Sequence, residues 1–81
     1  MKKMVYCNYI SNNDEVVRYA YGGDTTDITG IIEFSIDGSS FEIIKEPNES
    51  EVSLRSINRL IGKYRSDFSK RDFKEKIAYE C

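Results

Sequence analysis

Apolar and polar positions alternate with a period of two over much of the chain as far as Lys45, and the spacing then turns helical. Lys3 to Ile10 is rich in Val, Tyr, Cys and Ile and reads as a first strand. Val5, Cys7 and Tyr9 fall on one face, with Met4, Tyr6, Asn8 and Ile10 on the other. Both faces carry apolar bulk, so the alternation leaves open which one is buried. Ser11-Asn12-Asn13-Asp14 is a turn cluster, because Asn and Asp bond their own main chain and tolerate left-handed backbone. Glu15 to Tyr21 follows as a second strand, with Val17, Tyr19 and Tyr21 on a shared face.

Thr29 to Ile36 and Ser40 to Glu46 read as a second hairpin around Asp37-Gly38, a strong two-residue turn signal. That register sets Phe34 opposite Phe41, but also Glu33 opposite Glu42, a mildly destabilising pair of like charges. A four-residue loop from Asp37 to Ser40 instead places Phe34 opposite Ile43. Either register puts Ile32, Phe34, Ile36, Phe41 and Ile43 on one apolar face.

Pro47 ends the strand, since it cannot donate to a ladder. Asn48-x-x-Glu51 has the form of a capping box, with Ser50 the alternative cap. Leu54, Ile57, Leu60, Ile61 and Tyr64 then repeat at helical spacing. Gly62 marks either a close packing contact or an early end, because glycine costs about 1 kcal/mol against alanine inside a helix. Ser66 to Ser69 is expected to break this helix. Ser69-x-x-Asp72 could cap a second one bearing Phe73 and Ile77; the rival is a final strand, because Ile77, Tyr79 and Cys81 also alternate. Length and the K-R-D-F-K-E-K composition favour the helix. The expected fold is a single α+β domain: two hairpins in a four-stranded antiparallel sheet, then two helices on one face.

With 81 residues, a chain buries only about 60–65% of its unfolded surface, so its stability is modest unless it oligomerises. Net charge is −2, but the distribution is uneven: residues 1–51 carry ten acids against four bases, and residues 52–81 eight bases against four acids. Abundant Ile, Lys, Asn and Tyr suggests an AT-rich bacterial or phage source. The N-terminus has no sustained apolar run, so neither a signal peptide nor a membrane span is expected. Cys7 and Cys81 are far apart in sequence, and a cytoplasmic protein with reduced thiols is the default expectation.

The chain has no histidine, so the commonest general base is missing, and with it most nucleophilic triads and zinc sites. No phosphate-binding glycine loop appears. The residues from Gly22 to Asp27 could form a metal or partner loop, but lack calcium-loop spacing and read better as a plain connection. An enzyme is not expected, nor a metal, nor a small-molecule cofactor.

A protein-interaction role fits better, with another protein or a second copy as partner. Candidate interface residues are Met4, Tyr6, Ile10, Tyr19 and Tyr21, since tyrosine combines an apolar ring with a polar hydroxyl. If Tyr19 and Tyr21 lie under the helices, Met4, Tyr6 and Ile10 are left for the partner. The alternative is a nucleic-acid-binding module that uses Arg55, Arg59, Lys63, Lys70 and Arg71 as phosphate contacts, with strand tyrosines stacking on bases.

The pattern Ile28-Thr29, Ile32, Asp37-Gly38, Ile43, Asn48-Glu49-Ser50, Val52, with a helix following, resembles the hairpin-to-helix segment of a small phage protein that inhibits Cas9. It covers about a third of the chain. The resemblance implies a phage or mobile-element inhibitor, here expected to act by occluding its partner, or a member of the related class of small toxin-neutralising proteins. Those inhibitors present a dense acidic surface, whereas this chain is nearly neutral and basic towards its C-terminus, so no functional residue is carried over.

Overall fold

The computed structural model describes residues 4–80. The elements run β1 (Met4–Asn12), β2 (Val16–Gly22), β3 (Gly30–Ser35), β4 (Phe41–Lys45), α1 (Leu54–Ser69) and β5 (Lys76–Glu80). They form one five-stranded sheet of order β4-β3-β2-β1-β5, with every neighbouring pair antiparallel. The expected four strands and two helices are therefore corrected to five strands and one helix among the described residues. The helix takes the chain from the β4 edge to the opposite edge, where β5 pairs with β1.

The first turn forms as its residues demand: the Asn13 side-chain oxygen accepts from the Glu15 and Val16 amides at 2.8 and 2.9 Å. β1 carries a bulge at Ile10. The β3–β4 hairpin takes the register with Phe34 opposite Phe41 and Glu33 opposite Glu42, so Phe34 does not face Ile43. Arg18, opposite Glu33 on the other side, offsets the like-charge pair. It donates from Nε and Nη2 to Glu33 Oε2 at 3.0 and 2.6 Å.

The helix begins later and ends later than its sequence signals indicate. Its N-cap is Ser53, whose hydroxyl accepts from the Ser56 amide at 3.1 Å; neither Asn48 nor Ser50 caps it. Gly62 lies inside the helix and meets nothing within 4 Å, so it marks neither a packing contact nor an end. The helix runs through Ser66 and stops at a C-terminal motif in which Arg71 adopts left-handed backbone at φ 59°. There the Arg71 amide donates to the Phe68 carbonyl and the Asp72 amide to the Asp67 carbonyl, both at 2.9 Å. Ser69-x-x-Asp72 starts no second helix; Ile77 belongs to β5 and lies opposite Cys7.

The core lies between α1 and one sheet face. Val5, Cys7, Val17, Tyr19, Tyr21, Ile32, Phe34 and Ile77 from the strands meet Ile57, Leu60, Ile61 and Phe68 from the helix. At its centre Phe34 stacks on Phe68, 5.4 Å between ring centroids, and Tyr19 meets Phe34 edge-on at 6.0 Å. Each such buried ring contributes about 1.5–3 kcal/mol of hydrophobic stabilisation. Among the described residues, no helix is long and apolar enough to cross a membrane.

Candidate functional site: the helix-free face of the sheet

The strand period of two sends Met4, Tyr6, Asn8, Val16, Arg18, Ala20, Ile31, Glu33 and Glu42 to the side opposite the core, and Lys45, paired with Ile31 beyond the slip in β4, joins them. Among the described residues, no helix covers that side. Its cross-strand neighbours follow from the register: Tyr6 faces Ala78, Ala20 faces Ile31, and Arg18, Glu33 and Glu42 form one row. Ile10, at the β1 bulge, and Ile44, at the slip in β4, are 45% and 47% exposed, while Tyr6, Val16, Ala20 and Ile31 on this side are half-buried. The result is a mixed surface with an apolar strip beside a charged row.

The structure divides the candidate interface residues. Tyr6 lies on this open side, whereas Ile10 is the exposed residue inserted at the β1 bulge. Met4 shares the Tyr6 side of the strand, but it lines a groove with Tyr21 and the 46–53 segment at the end of the sheet. Tyr19 and Tyr21 are 0% and 2% exposed, so they are core residues and are corrected as candidates for partner contact. Tyr19 remains satisfied because its hydroxyl donates to the Lys74 carbonyl at 2.9 Å. Its burial pushes its pKa up.

The candidate phosphate contacts are also dispersed. Arg55 and Arg59 are exposed on α1, while Lys63 turns to the β5 edge, where its Nζ donates to the Ala78 carbonyl at 3.4 Å. Lys70 is the helix C-cap, and the Arg71 Nη2 donates to the Asn13 carbonyl at 3.0 Å. Arg55 and Lys70 lie about 22 Å apart along the axis. One continuous five-residue phosphate row is not formed.

Both sheet edges are blunted. On β5 the Tyr64 hydroxyl and Lys63 meet Ala78, and the Ala78 amide donates back to Tyr64 Oη at 3.5 Å. On β4 the strand is five residues long, its register slips near Ile31, and Pro47 follows closely. These are devices that discourage strand addition.

The Gly22–Asp27 segment and the Asn48-Glu49-Ser50 triplet meet in a polar clip that the sequence did not reveal. Asp27, 5% exposed, accepts from the Thr29 hydroxyl at 2.7 Å and from the Glu49 and Ser50 amides at 2.9 and 2.5 Å. The Ser50 amide, followed by the Thr29 hydroxyl, holds the Asp27 carboxyl well below the usual carboxylate range. Ser50 Oγ accepts from the Gly23 amide at 2.9 Å, and Thr29 Oγ1 from the Asn48 amide at 2.7 Å. This clip lies beside the open face: a side chain on Gly22 would meet the Asp27 carbonyl oxygen at 1.9 Å. The loop thus borders the face at its Tyr6 end. Partners 23 residues apart leave no local signal.

Cys7 is enclosed in the core, where burial pushes its thiol up to about 12. It is neutral at physiological pH and unsuited to nucleophilic attack. No family model, curated protein or solved structure matches the chain.

Proposed function

We propose that this is a non-catalytic protein-interaction domain that docks through the helix-free face of its sheet and acts by covering a partner's surface. The observation that carries the reading is the one-sided fold: α1 covers one face, while Tyr6, Val16, Ala20 and Ile31 on the other are only half-buried. Blunted edges support face-to-face docking over strand addition. The absence of histidine and the enclosed Cys7 favour binding over catalysis.

Replacing Ile31 by Lys tests this directly. Its side chain is half exposed on the open face, so the fold survives, checked by circular dichroism, and capture of the partner is lost. Arg55, Arg59 and Lys63 changed to Gln form the comparison. If that variant loses a salt-dependent nucleic-acid affinity while the isoleucine variant binds normally, the interaction reading fails and the nucleic-acid module replaces it.

A further inference from the structure

We infer that the open face takes a second copy of this chain, the two molecules packing sheet to sheet about a two-fold axis that runs along the strands between β2 and β3. This rests on the interaction reading above and adds the occupant.

The argument starts from a half-satisfied ion pair. Arg18 donates twice to the same Glu33 oxygen, Oε2. Among the described residues, Glu33 Oε1 and Arg18 Nη1 take no hydrogen bond, and Glu42, next in the row, has no ion pair. The row therefore presents a free donor beside a free acceptor, on a surface where Arg18 is 44% exposed and Glu33 19%.

The cross-strand register makes this row self-complementary. A half-turn about that axis exchanges the positions of β2 and β3. Because Arg18 pairs with Glu33 and Ala20 with Ile31, the operation sets Arg18 over Glu33 of the second copy and Ala20 over Ile31 of the second copy. Each guanidinium then lies between two carboxylates, and the four charges alternate. The same half-turn carries β1 over β4, bringing the Tyr6 and Ile10 strand against the strand of Ile44. Such a contact is closed and stops at two copies.

Strands about 4.8 Å apart and residues about 3.3 Å apart give a face of roughly 20 by 20 Å. That is about half the roughly 800 Å² per partner of a standard interface, so the dimer is weak and concentration-dependent. Its register is set by charge.

The test is sedimentation velocity of the full chain over a concentration series up to about 1 mM, the range suited to weak association. The wild type self-associates. Arg18→Glu and Glu33→Arg, each folded by circular dichroism, both associate at least about tenfold more weakly, because like charges now face each other. Mixed one to one, these two variants form a heterodimer at least as tight as the wild-type dimer. An effect confined to the intramolecular pair predicts no recovery on mixing. A wild type that stays monomeric throughout, or a mixture that stays monomeric, overturns the inference. If the wild type is monomeric while a photo-crosslinker at Tyr6 captures a different protein, the inference fails but the interaction reading stands. If Tyr6 captures nothing either, both fail.

Discussion

Replacing Gly62 by Ala should stabilise the protein, and the amount follows from where the residue sits. Gly62 is an exposed interior position of a 16-residue helix. A Cβ built on it meets nothing within 4 Å, so the added methyl brings no clash and no new contact. What remains is the backbone term: glycine loses more freedom on entering a helix than alanine does. That difference is about 1 kcal/mol. For a domain of this size, 1 kcal/mol corresponds to a rise in Tm of about 4–8 °C. Urea unfolding followed by circular dichroism should show a higher midpoint with an unchanged slope, since the exposed area on unfolding is the same. A helix that stopped at Gly62 would gain nothing from alanine, and a glycine needed for close packing would lose stability. Either result refutes a continuous helix from Leu54 to Ser69 with Gly62 on its outer side.

Ser53→Ala should cost about 1 kcal/mol by removing the N-cap acceptor, while Asn48→Ala should change stability by less than about 0.5 kcal/mol, both measured by urea midpoint. Asp27 is a carboxylate whose folded pKa lies below its ordinary value of 3.8. Its stabilisation is therefore fully present above that value and is lost as pH falls through the folded pKa. Asp27→Asn should lower the midpoint at neutral pH and flatten the acid limb of a midpoint-against-pH curve; an unchanged acid limb refutes the clip's role. Gly22→Ala should be strongly destabilising, because the Asp27 carbonyl 1.9 Å away is backbone and cannot swing aside. A variant with wild-type melting would contradict the path of the loop.

The first four strands were legible because alternation and turn chemistry agree with their burial. Asn13 closes the first turn as its side chain suggests, and Asp37-Gly38 lies in the second, with Gly38 at φ 72°. The helix end was hidden because Arg71 occupies the left-handed position where glycine or asparagine is usual. Arg71 is held there by the Asn13 carbonyl, a contact made across the fold. β5 was misread because Lys76 and Glu80, at its ends, face solvent and resemble a charged helix surface. The signal for a strand was present in Ile77 and Tyr79, which lie opposite Cys7 and Val5.

For the candidate site, sequence alternation defined both faces of β1 but could not choose between them. The choice depends on Tyr19, whose hydroxyl finds the Lys74 carbonyl 55 residues away and so tolerates full burial. The polar clip was out of reach for the same reason. Asp27 and Ser50 look like loop and cap residues until the chain brings them together.

The docking surface itself is tested most directly by site-specific photo-crosslinking in cells, with a photoreactive side chain at Tyr6 in one variant and at Arg59 in another. Tyr6 lies on the open face and Arg59 on the outer side of α1. A discrete protein adduct from Tyr6, to a second copy or to another protein, with none from Arg59, is the predicted result. Adducts from Arg59 alone, removed by nuclease or high salt, would place function on the basic helix and contradict the proposed docking face.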